Sequence, residues 1–310
     1  MIYPTHDELR HAAELLRAGR LVAFPTETVY GLGANALSAQ AVARIFEAKG
    51  RPHTSPLIVH LASREAAAEV VSRWPEEASK LAERFWPGPL TLVLPKQPSV
   101  PDIVTAGLGT VGVRVPAHPV ALALLRECGL PLAAPSANRF TQLSPTTAEH
   151  VRRSLGDRVD YILDGGPCTV GIESTVISLA GEPTLLRPGG ISRAQIEKVI
   201  GPVSVMTEAK DGAHASPGMH AKHYSPRTRL LLTDGTVPTE GHGVYLRLSR
   251  TAQRELESLQ MPMAPTAYAA ALYATLHELD QRGLDWIAVE LPPDTPEWTA
   301  VIDRLRRAAH

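Results

Sequence analysis

Short apolar runs alternate with amphipathic segments over the first 200 residues of the chain. A Thr-x-x-Glu capping box at Thr5 precedes a segment with leucines on one face, and Gly19 follows it, which predicts a helix. The apolar run from Leu21 to Phe24 ends at Pro25 and predicts a buried strand. The same reasoning predicts helices near 38–49, 64–73, 76–85, 118–128, 146–155 and 192–200, and strands near 56–61, 90–94, 111–115, 132–134, 160–164, 175–179 and 184–187. This alternation is typical of one α/β domain over residues 1–200.

Both periodicities disappear between Gly201 and Pro226. A segment of about 26 residues without regular structure is long for a compact domain, and such segments are usually functional or connect domains. Beyond it the pattern predicts strands at 229–232, 243–246 and 286–289, and helices at 251–259, at 266–282 and from Thr295 onward. We therefore predict an α/β domain at 1–200, a linker at 201–226 and a small α/β domain at 227–310.

Composition restricts the class of protein further. The 31 Lys and Arg residues against 32 Asp and Glu residues give a formal charge of −1, without the basic excess of a general nucleic-acid surface. Cys128 and Cys168 are far apart, so the sequence predicts neither a disulfide framework nor a cysteine zinc site. No run of about 18 apolar residues and no N-terminal targeting pattern occurs. We expect a cytoplasmic protein without a membrane partner.

Two motifs have ordinary interpretations. The segment Gly31-Leu32-Gly33-Ala34-Asn35-Ala36 satisfies the dinucleotide pattern G-x-G-x-x-A, but it does not directly follow a predicted strand, and the next helix begins later, at Ser38. We interpret its glycines as a tight turn. His220 and His223 form the only close histidine pair, and no third ligand with suitable spacing accompanies them, so we expect no protein-borne metal site.

Other motifs place chemistry at strand and helix ends. Lys49 and Arg51 follow a predicted helix, where they either offset the helix dipole or bind a polyphosphate. His60 lies in a predicted strand, where a histidine is most often a core or edge residue. Arg114 also lies in a strand, and its burial is costly unless a carboxylate or phosphate pairs with it. Ser136 follows a strand at its carboxyl end, where open α/β sheets bind ligands, although the same segment could be a simple turn.

In this order, several segments resemble the YrdC/Sua5 family of threonylcarbamoyl-AMP synthases. They are Pro25-Thr26-Glu27-Thr28-Val29-Tyr30-Gly31-Leu32, Lys49-Gly50-Arg51-Pro52, Ser136-Ala137-Asn138, Glu173-Ser174-Thr175-Val176 and Arg187-Pro188-Gly189. The segment from Ser216 to Pro226 resembles the linker of the longer, Sua5-type members. The resemblance implies a YrdC-like twisted mixed sheet with flanking helices, followed by a small Rossmann-like α/β C-terminal domain.

The resemblance also implies an activity and its substrates. L-threonine, bicarbonate and ATP would give threonylcarbamoyl-AMP and pyrophosphate, with Mg²⁺ held mainly by the ATP phosphates. A downstream tRNA threonylcarbamoyltransferase would use the product to form N6-threonylcarbamoyladenosine, without stable tRNA binding by this chain. The implied threonine-binding residues are Thr28, His60, Arg114, Ala134 and Ser174. The implied ATP-binding residues are Lys49, Arg51, Ser55, Thr110, Ser136, Asn138, Ser144, Arg187 and Tyr224.

This chemistry agrees with the absence of a nucleophile motif. Transfer at phosphorus needs positioning and stabilisation of negative charge, which Lys49, Arg51 and Arg187 would supply. A carbamate is labile in water, so we expect the linker that carries Tyr224 to cover the site, and the C-terminal domain mainly to position that linker. Two alternatives are a double-stranded RNA-binding module of the same fold, which the net charge disfavours, and carbamoyl transfer in hydrogenase maturation, whose zinc-finger modules two lone cysteines exclude.

Overall fold

The computed structural model describes residues 3–206, 223–238, 240–248 and 257–309. The α-helices are α1 (His6–Arg17), α2 (Ala39–Lys49), α3 (Glu76–Phe85), α4 (Asp102–Thr105), α5 (Pro119–Cys128), α6 (Ala148–Leu155), α7 (Arg193–Ile200), α8 (Pro265–Leu279) and α9 (Thr299–Ala308). The strands are β1 (Val22–Phe24), β2 (Gly31–Asn35), β3 (Ile58–His60), β4 (Leu90–Pro95), β5 (Thr110–Arg114), β6 (Leu132–Ala133), β7 (Tyr161–Ile162), β8 (Thr175–Ser178), β9 (Thr184–Arg187), β10 (Ser204–Val205), β11 (Arg229–Thr233), β12 (Gly243–Arg247), β13 (Ser258–Gln260) and β14 (Trp286–Glu290). Short 3₁₀ helices lie at Glu65–Glu69, Gly156–Arg158 and Pro296–Trp298.

Strands β1 to β10 form one mixed sheet in the order β10-β9-β8-β4-β5-β3-β6-β2-β1-β7. Two large clusters of buried apolar side chains, within residues 12–203, lie between this sheet and its flanking helices. Strands β3 and β5 are parallel and place His60 opposite Arg114, each at the carboxyl end of its strand. The fold thus brings the ends of several strands to one edge of the sheet, as open α/β sheets do around a ligand.

Strands β11 to β14 form a second, fully parallel sheet in the order β11-β14-β12-β13. Its apolar core includes residues of α8 and α9 and also buries Val29, Leu143 and Ile172 of the first domain. The mixed α/β sheet and the smaller parallel sheet agree with the predicted fold class. The two domains share a core, so neither packs as an independent unit at this surface.

The structure corrects several predicted elements. The helix expected at 64–73 is only the 3₁₀ turn Glu65–Glu69. The N-cap of α6 is Thr147, whose hydroxyl accepts the His150 N–H, rather than Thr146. Of the helix expected at 251–259, residues 258–259 belong to strand β13, and 251–256 lie outside the described residues. The capping boxes at Thr5 and Ser192 are confirmed.

Gly31 and Gly33 lie in strand β2, so their interpretation as a tight turn is wrong. A Cβ at Gly33 would lie 2.8 Å from the Phe24 ring, on the neighbouring strand β1. The glycines therefore leave room for the Phe24 ring against strand β2, a requirement of tertiary packing. A turn and a close approach both favour glycine, and the sequence pattern does not distinguish them.

The predicted linker is only partly described. Ser204 and Val205 form β10 and add to the edge of the first sheet beside β9. Residues 207–222, which include His220, lie outside the described residues, and with them most of the segment expected to cover the site. Within the described ranges, no helix is long and apolar enough to cross a bilayer.

Candidate active site

The buried charges of the molecule gather around one cavity. Among the described residues, the buried Lys, Arg, Asp and Glu side chains are Glu27, Lys49, Arg51, Arg114, Glu173, Arg187 and Arg304. Each either lines the cavity or contacts a residue that lines it. Burying a charge is costly unless it is paired or binds a ligand, so this concentration indicates a functional site.

The cavity contains most of the residues that the resemblance implied. The threonine-binding candidates Thr28, His60, Arg114, Ala134 and Ser174 all line it. The ATP-binding candidates that line it are Arg51, Ser136, Arg187 and Tyr224. Lys49 and Ser144 contact lining residues, and Asn138 and Ser55 are buried nearby in the sequence segments of Ser136 and Arg51. Thr110 does not reach this cavity and lines a smaller one beside Ile58 and Gly112.

Arg114 has a protein partner that sequence reasoning missed. Its Nη2 lies 2.6 Å from Glu27 Oε1, while Nη1 donates to Thr28 Oγ1 at 3.0 Å and Nε donates to the Gly88 carbonyl at 3.1 Å. Glu27 belongs to the same quoted motif as Thr28, so the signal was present in the sequence. The ion pair offsets the cost of burying Arg114 and holds its guanidinium against the cavity wall.

His60 is a neutral base in this site. Burial, and next the nearby Arg114, lower the pKa of His60 to about 3. Its Nδ1 is buried without a hydrogen-bond partner, although the ring lines the cavity. An unpaired buried acceptor or donor costs about 1–3 kcal/mol, and a ligand in the cavity would remove that cost.

Lys49 supports the loop after β6. Its ammonium donates to the carbonyls of Ser136 and Asn138, each at 2.5 Å. Burial, and next Arg51, lower the pKa of Lys49 well below its usual range. The Asn138 amide in turn donates to the carbonyls of Arg139 and Gln142 at 2.8 and 2.9 Å. The described contacts of Lys49 therefore stabilise the Ser136-Ala137-Asn138 segment.

Arg51 and Arg187 are far apart in the sequence, but both line the cavity. Arg51 donates from Nη2 to the Pro56 carbonyl at 3.1 Å, and its buried Nε has no hydrogen-bond partner. Burial lowers the pKa of Arg51 to about 10, so it remains a cation at neutral pH. Arg187 donates from Nε and Nη2 to the Ser174 carbonyl at 3.1 and 3.0 Å. Both guanidiniums are thus fixed while they line the cavity.

Glu173 lies at the junction of the two domains. Its Oε1 accepts the Ser144 hydroxyl at 2.5 Å, and its Oε2 accepts Arg304 Nε at 2.7 Å and the Tyr273 hydroxyl at 3.2 Å. Burial by itself raises the pKa of Glu173, but Arg304 and Arg187 outweigh it and lower the pKa. Arg304 and Tyr273 come from the C-terminal domain, and no local sequence pattern marks either of them.

Tyr224 also lines the cavity. Its side chain is buried, its hydroxyl has no hydrogen-bond partner, and its ring lies 5.1 Å from the Arg304 guanidinium carbon. Its φ of 61° is unusual for a bulky residue, and such strain clusters at functional sites. The cavity measures about 50 Å³, room for only a few waters, so a nucleotide would require lining side chains to move.

The fold and the site together define an α/β enzyme with a buried cationic cavity at one edge of its mixed sheet. A family model described as "Telomere recombination", Sua5_yciO_yrdC, matches residues 14–189. A second, "Threonylcarbamoyl-AMP synthase, C-terminal domain", matches residues 191–310. The chain belongs to the Sua5/YrdC family of threonylcarbamoyl-AMP synthases.

Relatives match along nearly the full chain. A threonylcarbamoyl-AMP synthase of Bacillus subtilis is 45% identical, over 97% of this chain and 93% of the relative. One of Pyrococcus abyssi is 44% identical, over 97% of this chain and 94% of the relative. The crystal structure of P. abyssi Sua5 complexed with L-threonine has a TM-score of 0.92 and 41% identity, and covers 99% of this chain and 96% of that one. The two-domain arrangement is therefore shared, and a simple RNA-binding module is not favoured.

Proposed function

We propose that this protein is a threonylcarbamoyl-AMP synthase, which forms threonylcarbamoyl-AMP and pyrophosphate from L-threonine, bicarbonate and ATP. The observation that carries the proposal is the charge at the cavity. Five buried cations, Lys49, Arg51, Arg114, Arg187 and Arg304, are accompanied by two buried carboxylates, Glu27 and Glu173. The buried carboxylates are paired with Arg114 and Arg304, which leaves an excess of positive charge suited to a polyphosphate.

The reaction needs no protein nucleophile. The threonine amine and bicarbonate give an N-carboxylate and water, and an oxygen of that carboxylate attacks the α-phosphorus of ATP. The bond from the α-phosphorus to the bridging oxygen breaks, and pyrophosphate leaves with the electron pair. Arg51 and Arg187 line the cavity and would stabilise the negative charge that spreads over the phosphates during this step.

Threonine would occupy the end of the cavity near Arg114 and His60. The Thr28 hydroxyl and the guanidinium of Arg114 lie 3.0 Å apart there, and the buried Nδ1 of His60 has no partner in the protein. A guanidinium that keeps N–H groups beyond its contact with Glu27 can bind a carboxylate. Because His60 is neutral, it can exchange a hydrogen bond with the substrate without adding charge.

Mg²⁺ would enter with ATP. No cluster of three or more metal-ligating side chains occurs in the described part of the chain, and both buried carboxylates are occupied by arginines. The buried cations suit a metal held by phosphate oxygens rather than by this protein. Bound in that way, Mg²⁺ would neutralise phosphate charge in the transition state.

The product would pass to a separate tRNA threonylcarbamoyltransferase. A carbamoyl adenylate is an activated acyl donor, so an acceptor enzyme must consume it. The formal charge of −1 gives no support to stable tRNA binding by this chain. We place the reaction in the cytoplasm.

The test is the reaction itself. Purified protein is incubated with ATP, L-threonine, ¹⁴C-bicarbonate and MgCl₂, and the products are analysed by mass spectrometry and for pyrophosphate. We expect labelled threonylcarbamoyl-AMP and pyrophosphate in equal amounts, and neither when threonine is omitted. ATP hydrolysis that is independent of threonine, without labelled adenylate, would refute the proposal.

A further inference from the structure

Two side chains of the C-terminal domain lie behind the wall of the cavity and contact Glu173, which lines it. Arg304, on α9, has no solvent exposure, and its Nε donates to Glu173 Oε2 at 2.7 Å. The Tyr273 hydroxyl, on α8, donates to the same oxygen at 3.2 Å. Glu173 itself lines the cavity. One carboxylate oxygen is therefore held by the C-terminal domain, while the other accepts the Ser144 hydroxyl of its own domain.

Arg304 keeps its own counter-ion and carbonyl contact. Its Nη1 lies 2.5 Å from Asp303 Oδ2, and its Nη2 donates to the Pro188 carbonyl at 3.0 Å. These contacts would fix the guanidinium even without Glu173. Arg304 is thus preorganised to bind the Glu173 carboxylate. Its guanidinium also lies beside the Tyr224 ring.

The segment that carries Glu173 also packs closely against the C-terminal domain. Gly171, two residues before Glu173, approaches α8 so closely that a Cβ there would lie 2.5 Å from the Ala270 Cα. Ile172 belongs to the same buried apolar cluster as Tyr273. The segment that carries Glu173 is therefore packed against the helix that carries Tyr273.

We propose that Arg304 and Tyr273 are positioning residues that keep the Glu173 carboxylate away from the cations that meet ATP. This inference rests on the proposed function. Glu173 interacts electrostatically with Arg187 and Lys49 as well as with Arg304. A buried carboxylate released from Arg304 and Tyr273 would keep only the uncharged Ser144 hydroxyl among these partners, so it would pair with those cations. That pairing would remove positive charge from the phosphate site, so ATP binding would suffer before threonine binding.

Steady-state kinetics with matched variants test this idea. Arg304→Met is compared with Arg306→Met, an exposed arginine on the same helix, and Tyr273→Phe with Tyr268→Phe, which removes an equally buried but unpartnered hydroxyl from α8. We expect Arg304→Met to raise the KM for ATP at least tenfold and the KM for threonine less. Tyr273→Phe should raise the KM for ATP two- to fivefold, and both controls should match the wild type.

The decisive comparison removes the carboxylate. In a Glu173→Gln background, Arg304→Met should change the KM for ATP less than twofold, because no carboxylate is left to capture the cations. An equal loss in both backgrounds would show a purely structural role and overturn the proposal.

Unchanged kinetics in Arg304→Met and Tyr273→Phe, with an active wild type, would overturn it while the proposed function stands. If Arg304→Met does not fold, Tyr273→Phe with and without Glu173→Gln decides the question. An inactive wild type would refute the proposed function, and this inference with it.

Discussion

Arg114 and Glu27 form a buried ion pair in which Nη2 and Oε1 lie 2.6 Å apart. The sequence showed that an arginine in this strand needs an anionic partner, and the protein supplies one itself. Arg114 is thereby locked before any ligand binds, with Thr28 and Gly88 as its other contacts. A preorganised guanidinium loses little entropy on binding a carboxylate, which favours its predicted role toward threonine.

Arg114→Lys should raise the KM for threonine at least tenfold, about 1.4 kcal/mol, with a smaller effect on ATP. Lysine offers one compact charge and cannot serve Glu27, Thr28 and a substrate carboxylate together. Threonine-dependent pyrophosphate release measures the effect, and the exposed Arg126→Lys is the control. If KM and kcat were unchanged, Arg114 would have a structural role and would not bind threonine.

Arg51→Met should weaken binding of a non-hydrolysable ATP analogue by tenfold or more, while the loss of one internal hydrogen bond should lower the free energy of unfolding by about 1 kcal/mol. Arg51 lines the cavity and its buried Nε has no partner in the protein, so we expect it to contact a phosphate. Its hydrogen bond to the Pro56 carbonyl would be lost as well. Isothermal titration calorimetry measures the affinity, with the exposed Arg64→Met as control. Equal affinities in wild type and Arg51→Met would contradict the assignment.

Lys49→Met should lower the free energy of unfolding by about 2 kcal/mol, since the buried Asn138 carbonyl and the partly buried Ser136 carbonyl lose their donor. The ATP affinity should fall as well, because those carbonyls belong to the segment that carries Ser136. Urea denaturation and calorimetry together separate the two effects. A variant of wild-type stability with impaired ATP binding would instead favour direct phosphate contact by Lys49.

Acid should destabilise the protein through His60. The folded pKa of His60 is about 3, below the usual value near 6.5, so between these pH values the unfolded chain binds more protons. Stability conferred by neutral His60 is present above pH 6.5 and falls toward pH 3, by at most about 1.4 kcal/mol per pH unit. Urea denaturation from pH 7.5 to 5 should show a shallower decline for His60→Gln than for the wild type or the exposed His6→Gln. Parallel declines would mean that His60 is protonated in the folded state.

Gly171→Ala should push α8 of the C-terminal domain away from the segment that carries Glu173. Gly107 has nearly the same φ, 78° against 76°, and open space around it, so Gly107→Ala measures the backbone cost alone. That cost is about 1 kcal/mol. Gly171→Ala should lose more stability and raise the KM for ATP, because α8 and Tyr273 must shift. Identical behaviour of the two variants would show that the close approach is easily relieved.

Local signals along the chain determined much of this protein. The candidate residues that line the cavity were implied by motifs that resemble those of a known family. Most elements were predicted by caps at Thr5 and Ser192 and by glycine and proline at the ends of apolar runs. Such signals work because capping, periodicity and turn formation depend on neighbours within a few residues.

Tertiary structure alone decided the partners of those residues. Arg304 forms an ion pair with Glu173, 131 positions away in the sequence. Position 33 must be glycine because the Phe24 ring of the neighbouring strand leaves no room for a Cβ atom. Neither relationship has a local signature, because each depends on how the two domains or two strands pack. A buried charge or a missing side chain shows that a partner is needed, but only the folded chain determines which residue provides it.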